Sequence, residues 1–233
     1  MLLQKKLLRT RNHLETSNIH VIRTGLLSVN TLIVFLGNKR AFVVDPAASK
    51  LSHDENKVID YLHNKKIECV GIVLTHSHFD HILGIDVVKN AFPKAPVLIH
   101  EAEGDELINP PGRMNASVLQ FFGMDDMKEV LGRQPQADIL LKNNQTLECL
   151  GEGGEKWKVI HTPGHTPGSI CLYNEIDGLL ISGDTLFAEG GYGRTDMYGG
   201  DTLEIMHSLS MLKATIPEGT KVYPGHEDFG FSL

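Results

Sequence analysis

Residues 76–81 read His-Ser-His-Phe-Asp-His, three imidazoles and one carboxylate inside six positions, where the apolar run 70–74 breaks. Donors this dense constrain the fold, because they have to emerge at the end of a buried strand, where loops converge on a site. Imidazole nitrogen and carboxylate oxygen suit zinc and neighbouring divalent ions. Four of them exceed what one tetrahedral ion with an open catalytic position uses, which predicts two ions. In extended backbone, residues two apart point the same way, so His76 and His78 are placed to share one ion. A turn into a helix near Ile82 or Leu83, eased by Gly84, would face Asp80 and His81 toward a second. A histidine-rich surface loop is the competing reading. It suits a lone histidine better than this compact tetrad.

The rest of the pattern alternates strands and helices. Runs at 19–23, 31–36 and 41–44 read as an antiparallel meander that stops at Asp45-Pro46. Val58, Ile59 and Leu62 have helical spacing within 53–66, and the strand 70–74 passes through the histidine cluster into a helix over about 83–91. A short strand is expected at 97–100. Residues 101–136, with Pro110-Pro111-Gly112 and weak helical patterning, read as an insert or lid. Strands are expected again at 146–150, 157–160, 169–173 and 179–182. A helix with Leu203, Met206, Leu209, Met211 and Leu212 as its apolar positions follows, then a strand at 221–223. Strands in both halves with helices between them predict an α/β protein: two packed sheets flanked by helices, as a single domain over 1–233. Residues 1–18 read as an N-terminal tail or edge strand.

Three more donors fall at predicted strand ends. In His161-Thr-Pro-Gly-His165-Thr-Pro-Gly, prolines and glycines make a rigid turn that presents His165 at a fixed place. His161 lies in or just after the strand and is read as a supporting residue beside the metal ligands. The strand 179–182 runs into Gly183-Asp184, where the carboxylate can bridge two cations, and the last strand ends in Tyr223-Pro-Gly-His226. An isolated Gly-Asp would otherwise read as a turn or a helix cap.

Charge and composition remove several classes of function. A net charge of -7 argues against tracking a nucleic-acid backbone, which depends on lysine and arginine displacing counterions. Three widely spaced cysteines, Cys69, Cys149 and Cys171, exclude a disulfide framework or a thiolate zinc site, and all three are expected to be buried and inert. No apolar run approaches a membrane span, and the basic, leucine-containing N-terminus lacks the h-region and cleavage site of a leader. A soluble, cytoplasmic protein is expected. No motif specifies an oligomeric state.

Asp45, the cluster at 76–81, His165, Asp184 and His226, in that order and each at a strand end, resemble the metallo-β-lactamase superfamily from about residue 19 onward. The resemblance implies a four-layer αββα sandwich. It also implies that His76, His78 and His165 bind one metal, that Asp80, His81 and His226 bind another, and that Asp184 bridges them while Asp45 holds the ligand loop. Zinc β-lactamases generally lack the bridging aspartate, and flavodiiron proteins carry glutamate where His78 stands. The segments 183–187 and Gly193-Arg194-Thr195-Asp196 most resemble glyoxalase II-like (hydroxyacylglutathione hydrolase-like) enzymes, in the short form without the helical C-terminal domain. This implies two divalent ions, zinc with iron or manganese as alternatives, that share Asp184 and a hydroxide which attacks a thioester or ester such as S-lactoylglutathione. Asp80 and Asp184 would be the catalytic carboxylates. Arg194 and Tyr192, on the following loop, would contact a carboxylate of a small-molecule substrate. Persulfide dioxygenases resemble the same segment and the Tyr-Pro-x-His ending, with one iron on the counterparts of His76, His165 and Asp184. The longer separation of His81 from His165 favours the hydrolases, and nucleases of the superfamily fit the acidic charge poorly.

Overall fold

A computed structural model of the protein describes residues 18–108 and 111–233. In β2 (Val29–Gly37) and β3 (Arg40–Val44), successive side chains point to opposite faces. Ile33, Ala41 and Val43 enter one apolar core, whereas Leu32, Val34, Phe42 and Val44 enter another. With both faces buried, these strands need a layer on either side.

The first sheet contains β1 (Ile19–Thr24), β2, β3, β4 (Glu68–Val73), β5 (Val97–His100) and β6 (Ile139–Leu141) in that spatial order. Its first two pairings are antiparallel and its last three parallel. The second contains β7 (Lys158–His161), β8 (Ile170–Asn174), β9 (Leu179–Gly183), β10 (Lys221–Pro224) and β11 (Phe231–Ser232), with the order reversed and only β9 and β10 parallel. Trp157 meets Phe42 edge to face between the sheets, with ring centroids 5.8 Å apart. Leu172, Ile181 and Leu98 fill the space around them. Each such large apolar side chain contributes about 1.5–3 kcal/mol on burial. Outside the first sheet lie α1 (Lys57–Lys65), the single turn α2 (Phe79–Ile82) and α3 (Ile85–Ala91), which bury Val58, Leu62, Phe79, Ile85 and Val88. Two further helices, α4 (Arg113–Phe121) and α5 (Met127–Leu131), add Val118, Leu119 and Leu131 to that core. Outside the second sheet, Leu212 of α6 (Thr202–Thr215) packs with Cys171, Leu180 and Val222. The result is the expected sandwich, two mixed sheets flanked by helices.

Several local expectations need correction. The helix expected over 83–91 begins earlier, as α2, and restarts after Gly84 as α3. Residues 146–150 are not a strand: Thr146 makes an isolated bridge to Lys158, and Glu148–Leu150 is a 3-10 turn. Leu147 and Leu150 both enter the core between the sheets, and a three-residue spacing on one face suits a 3-10 turn rather than a period of two. On α6 the buried residues are Ile205, Ser208 and Leu212, while Leu203 is 83% exposed and Met206 is also exposed. Cys149 is exposed, unlike Cys69 and Cys171. The reading of residues 1–18 as a tail or edge strand falls, except for Asn18, outside the described residues. No helix among the described residues is long and apolar enough to cross a membrane.

Candidate metal centre

Parallel neighbours β3 and β4 end side by side, and this sets the first loop. Just past β3, Asp45 adopts φ +49°, a left-handed conformation that aspartate tolerates better than most residues. Its Oδ1 accepts a hydrogen bond from the Thr75 N–H at 2.8 Å, and its Oδ2 accepts one from the Thr75 hydroxyl at 2.6 Å. Oδ2 also lies 3.0 Å from Nδ1 of His81. A carboxylate there orients the imidazole and leaves Nε2 free to face the centre. Asp45, His76 and His81 are also close enough to be weighed as a ligand group. Both oxygens of Asp45 are already engaged, however, so it supports ligands rather than supplying one.

The remaining donors converge from four strand ends. His76, His78 and His165 bring one donor atom each within 4.8 Å of one another, as do Asp80, His81 and His226. Nδ1 of His78 lies 2.9 Å from Nε2 of His165, and Nε2 of His81 lies 3.2 Å from Nε2 of His226. Asp184 sits between the groups. Its Oδ2 is 3.6 Å from Nε2 of both His165 and His226, and its Oδ1 is 3.6 Å from Nε2 of His81. Oδ2 of Asp80 is 3.3 Å from Nε2 of His226. Nε2 of His76, Nε2 of His78 and Oδ1 of Asp184 are buried without a hydrogen-bond partner, an arrangement folded proteins rarely leave unsatisfied. Converging imidazoles and carboxylates with orphaned donor atoms fit divalent metal binding.

The charge states of His76, His78 and Asp80 suit metal binding, whereas His81 would have to give up a proton to a bound ion. Burial, reinforced by neighbouring imidazoles, pushes His76 and His78 well below the ordinary histidine value, into the neutral form that binds metal. Burial would raise Asp80, yet His81, His226 and His78 hold its carboxyl well below the usual range. Burial would likewise lower His81, but the carboxylates of Asp184, Asp80 and Asp45 pull it up to about 10. A metal cation would take over that attraction.

Two glycines allow the close approach. Gly164, at φ +132°, lies so tightly on α6 that a Cβ would collide with the Ile205 backbone. This contact and the Ser208 hydroxyl donating to the Pro163 carbonyl, at 2.8 Å, select the inward face of α6. The His165 ring is held through Nδ1, 2.8 Å from the Arg194 carbonyl. At the other end, a Cβ on Gly225 would fall on Asp184 and His81. The Gly225 N–H donates to the Gly183 carbonyl at 2.8 Å, which sets Asp184 and His226 side by side beyond β9 and β10. His161 faces elsewhere: its ring stacks on His100 at 4.0 Å, and its Nε2 lies 2.8 Å from the Pro167 carbonyl. It braces the turn from outside and touches none of the converging donors.

Two residues of the segment 101–136 escape sequence reasoning. Glu103, 1% exposed, accepts hydrogen bonds from the N–H and hydroxyl of Ser77 at 2.7 and 2.6 Å through Oε2, and from the Gly168 N–H at 2.7 Å through Oε1. One carboxylate thus ties the loop of His76 and His78 to the loop of His165. Asn115, in α4, donates to the Ser77 carbonyl at 2.7 Å. Nothing in the sequence separates Glu103 from Glu101, Asp105 and Glu106 around it.

Five of the donors, His78, Asp80, His165, Asp184 and His226, line a cleft of about 560 Å³ together with Leu27, Phe79, Val118, Phe122, Phe187 and Met197. Arg194 lines it too, but Nε and a terminal nitrogen of its guanidinium donate to Asp196 at 2.7 and 2.8 Å, and the group lies over the rings of Phe121 and Phe122. Tyr192 is exposed and does not line the cleft.

Fold and site together define a member of the metallo-beta-lactamase superfamily: the model of that superfamily matches residues 24–226, and the chain belongs to it. Among individual relatives, it is 33% identical over 191 residues to "Probable metallo-hydrolase YqgX" of Bacillus subtilis (strain 168), covering 82% of each chain. It is 31% identical over 209 residues to a hydroxyacylglutathione hydrolase of Pelagibacter ubique (strain HTCC1062), covering 90% of this chain and 70% of the relative. The crystal structure of the B3 metallo-beta-lactamase BLEG-1 superposes with a TM-score of 0.73 at 30% identity, over 92% of this chain and 93% of the other.

Proposed function

We propose that the protein is a binuclear metal-dependent hydrolase of thioesters or esters. His76, His78 and His165 would hold one ion, Asp80, His81 and His226 the other, and Asp184 would be shared. The reading is carried by Asp184, whose carboxylate stands 3.6 Å from imidazole nitrogens of both groups. Metal ions bound there would supply a water acidic enough to act as nucleophile near neutral pH and a Lewis acid for the carbonyl oxygen. Zinc suits the donor set best, with iron or manganese as alternatives.

The chain's own residues do the positioning. Asp80 stays ionised and can orient the attacking water as well as bind metal. Asp45 keeps His81 in the tautomer that presents Nε2, and Glu103 keeps the two ligand loops in register. Val118 and Phe122 of segment 101–136 would form a cleft wall, tied to the ligand loop through Asn115 and Glu103 rather than swinging freely as a lid. Contact of Arg194 with a substrate carboxylate would require exchange with Asp196, an exposed partner whose attraction water screens.

The test is hydrolysis of S-lactoylglutathione measured beside persulfide-dependent oxygen uptake on the same metal-loaded preparation. Thioester cleavage without oxygen uptake is expected. Oxygen uptake by an iron-containing protein that leaves the thioester intact would overturn the proposal.

A further inference from the structure

The walls of the cleft differ in chemistry from its floor. Above the histidines and aspartates, Leu27, Phe79, Val118, Phe122, Phe187 and Met197 line the space. Phe79, Val118 and Met197 continue the main apolar core, and Phe122 stands edge-on to Phe79 with ring centroids 6.4 Å apart. Phe187 meets the His226 ring in the same edge-on way at 6.4 Å. Apolar surface therefore begins directly beside the proposed reaction centre, where the acyl part of a substrate has to lie.

The charged groups of the lining point the same way. Arg23 and Arg194 are its cationic side chains outside the donor cluster. Arg194 is forked onto Asp196. Arg23 donates to the Glu227 carbonyl at 2.8 Å and to Asn30 Oδ1 at 3.3 Å, and lies 3.7 Å from Asp228. Outside the donor cluster, a substrate bearing several carboxylates meets Glu227 and two arginines that would each have to exchange an acidic partner to receive it.

We infer that this cleft selects a thioester or ester with an uncharged apolar acyl group, a chain of several carbons or a ring, over a short hydroxyacyl group on a charged thiol. The inference rests on the hydrolase reading and adds the substrate class to it. Each methylene laid against this wall removes apolar surface from water, and about two- to fourfold per methylene is expected in an open cleft.

The experiment uses metal-loaded enzyme and the acetyl, butyryl, hexanoyl and octanoyl thioesters of N-acetylcysteamine, with S-lactoylglutathione as the polar comparator. In parallel, calorimetry measures binding of the corresponding thioethers, which lack the carbonyl and cannot be hydrolysed. The expected result is a rise in kcat/KM of at least about 50-fold from acetyl to octanoyl, the same trend in thioether affinity, and a negative heat-capacity change on binding. Phe122→Ala, at a half-exposed position where folding is not at stake, should cut the octanoyl-to-acetyl ratio about fivefold. A flat series, or S-lactoylglutathione turned over faster than the octanoyl ester, overturns the inference. If no thioester or ester is hydrolysed, the hydrolase reading fails. The thioether series then decides the cleft separately: a rising affinity supports the apolar selection and a flat one refutes it.

Discussion

Glu103→Gln isolates the coupling between the two ligand loops. The native carboxylate accepts three hydrogen bonds, two from Ser77 and one from Gly168. Glutamine keeps the shape but has a single accepting oxygen. With that oxygen toward Ser77, its NH2 group meets the Gly168 N–H, donor against donor. One bond is lost and a buried N–H is left without a partner, which together cost about 2–4 kcal/mol. For a chain of this size the melting temperature should fall by about 5–10 °C. Because Ser77 lies between His76 and His78, and Gly168 lies three residues past His165, metal affinity should fall about 10- to 100-fold as well. Thermal unfolding with and without metal, and competition against a chromophoric chelator, read the two effects. A melting temperature within about 1 °C of wild type, or lower stability with unchanged metal affinity, would refute the coupling.

Other residues give sharper contrasts. Asp184→Ala should lose bound metal and abolish hydrolysis, whereas His161→Ala, which loses only the stack on His100 and the contact with Pro167, should remain active and lose about 1 kcal/mol in denaturant unfolding; equal loss from both would contradict the assignment. Burial, with the neighbouring His161, depresses His100 to about 4, so the unfolded chain binds the extra proton first as pH falls through 6.5 toward 4. Wild type should therefore lose about 1–2 kcal/mol relative to His100→Phe between pH 7 and pH 4.5, a figure discounted for the half-exposed ring of His161; a pH-independent difference would refute this. Native protein should react with a thiol reagent at Cys149 alone, because burial pushes Cys69 up to about 12 and Cys171 up to about 11, while denatured protein exposes all three; rapid native labelling of a second thiol would count against that burial.

The donors were legible in the sequence because metal ligation leaves a dense local signature at 76–81, and because His165, Asp184 and His226 each follow a strand-like run and a glycine. The two-sheet architecture was legible from strands in both halves, although the three-residue β6 and two-residue β11 are too short to show a period. Residues 146–150 read as a strand because an apolar pair three apart, Leu147 and Leu150, resembles one when only composition is considered. On α6, helical periodicity allowed more than one inward face. The choice depends on Gly164 pressing against Ile205, a contact between segments some forty residues apart in sequence. Glu103 was invisible for the same reason: its burial depends on where the loops of Ser77 and Gly168 meet, and its local setting is that of an exposed acidic turn. Tyr192 reads as a substrate contact only through its nearness in sequence to Arg194, and it does not line the cleft.

Metal stoichiometry tests the shared-carboxylate centre most directly. Elemental analysis of wild-type protein loaded with zinc and desalted should give two ions per chain, and Asp184→Ala treated identically should give one or none. A single ion in wild type, or an Asp184→Ala protein that still retains two, would contradict a binuclear centre built on Asp184.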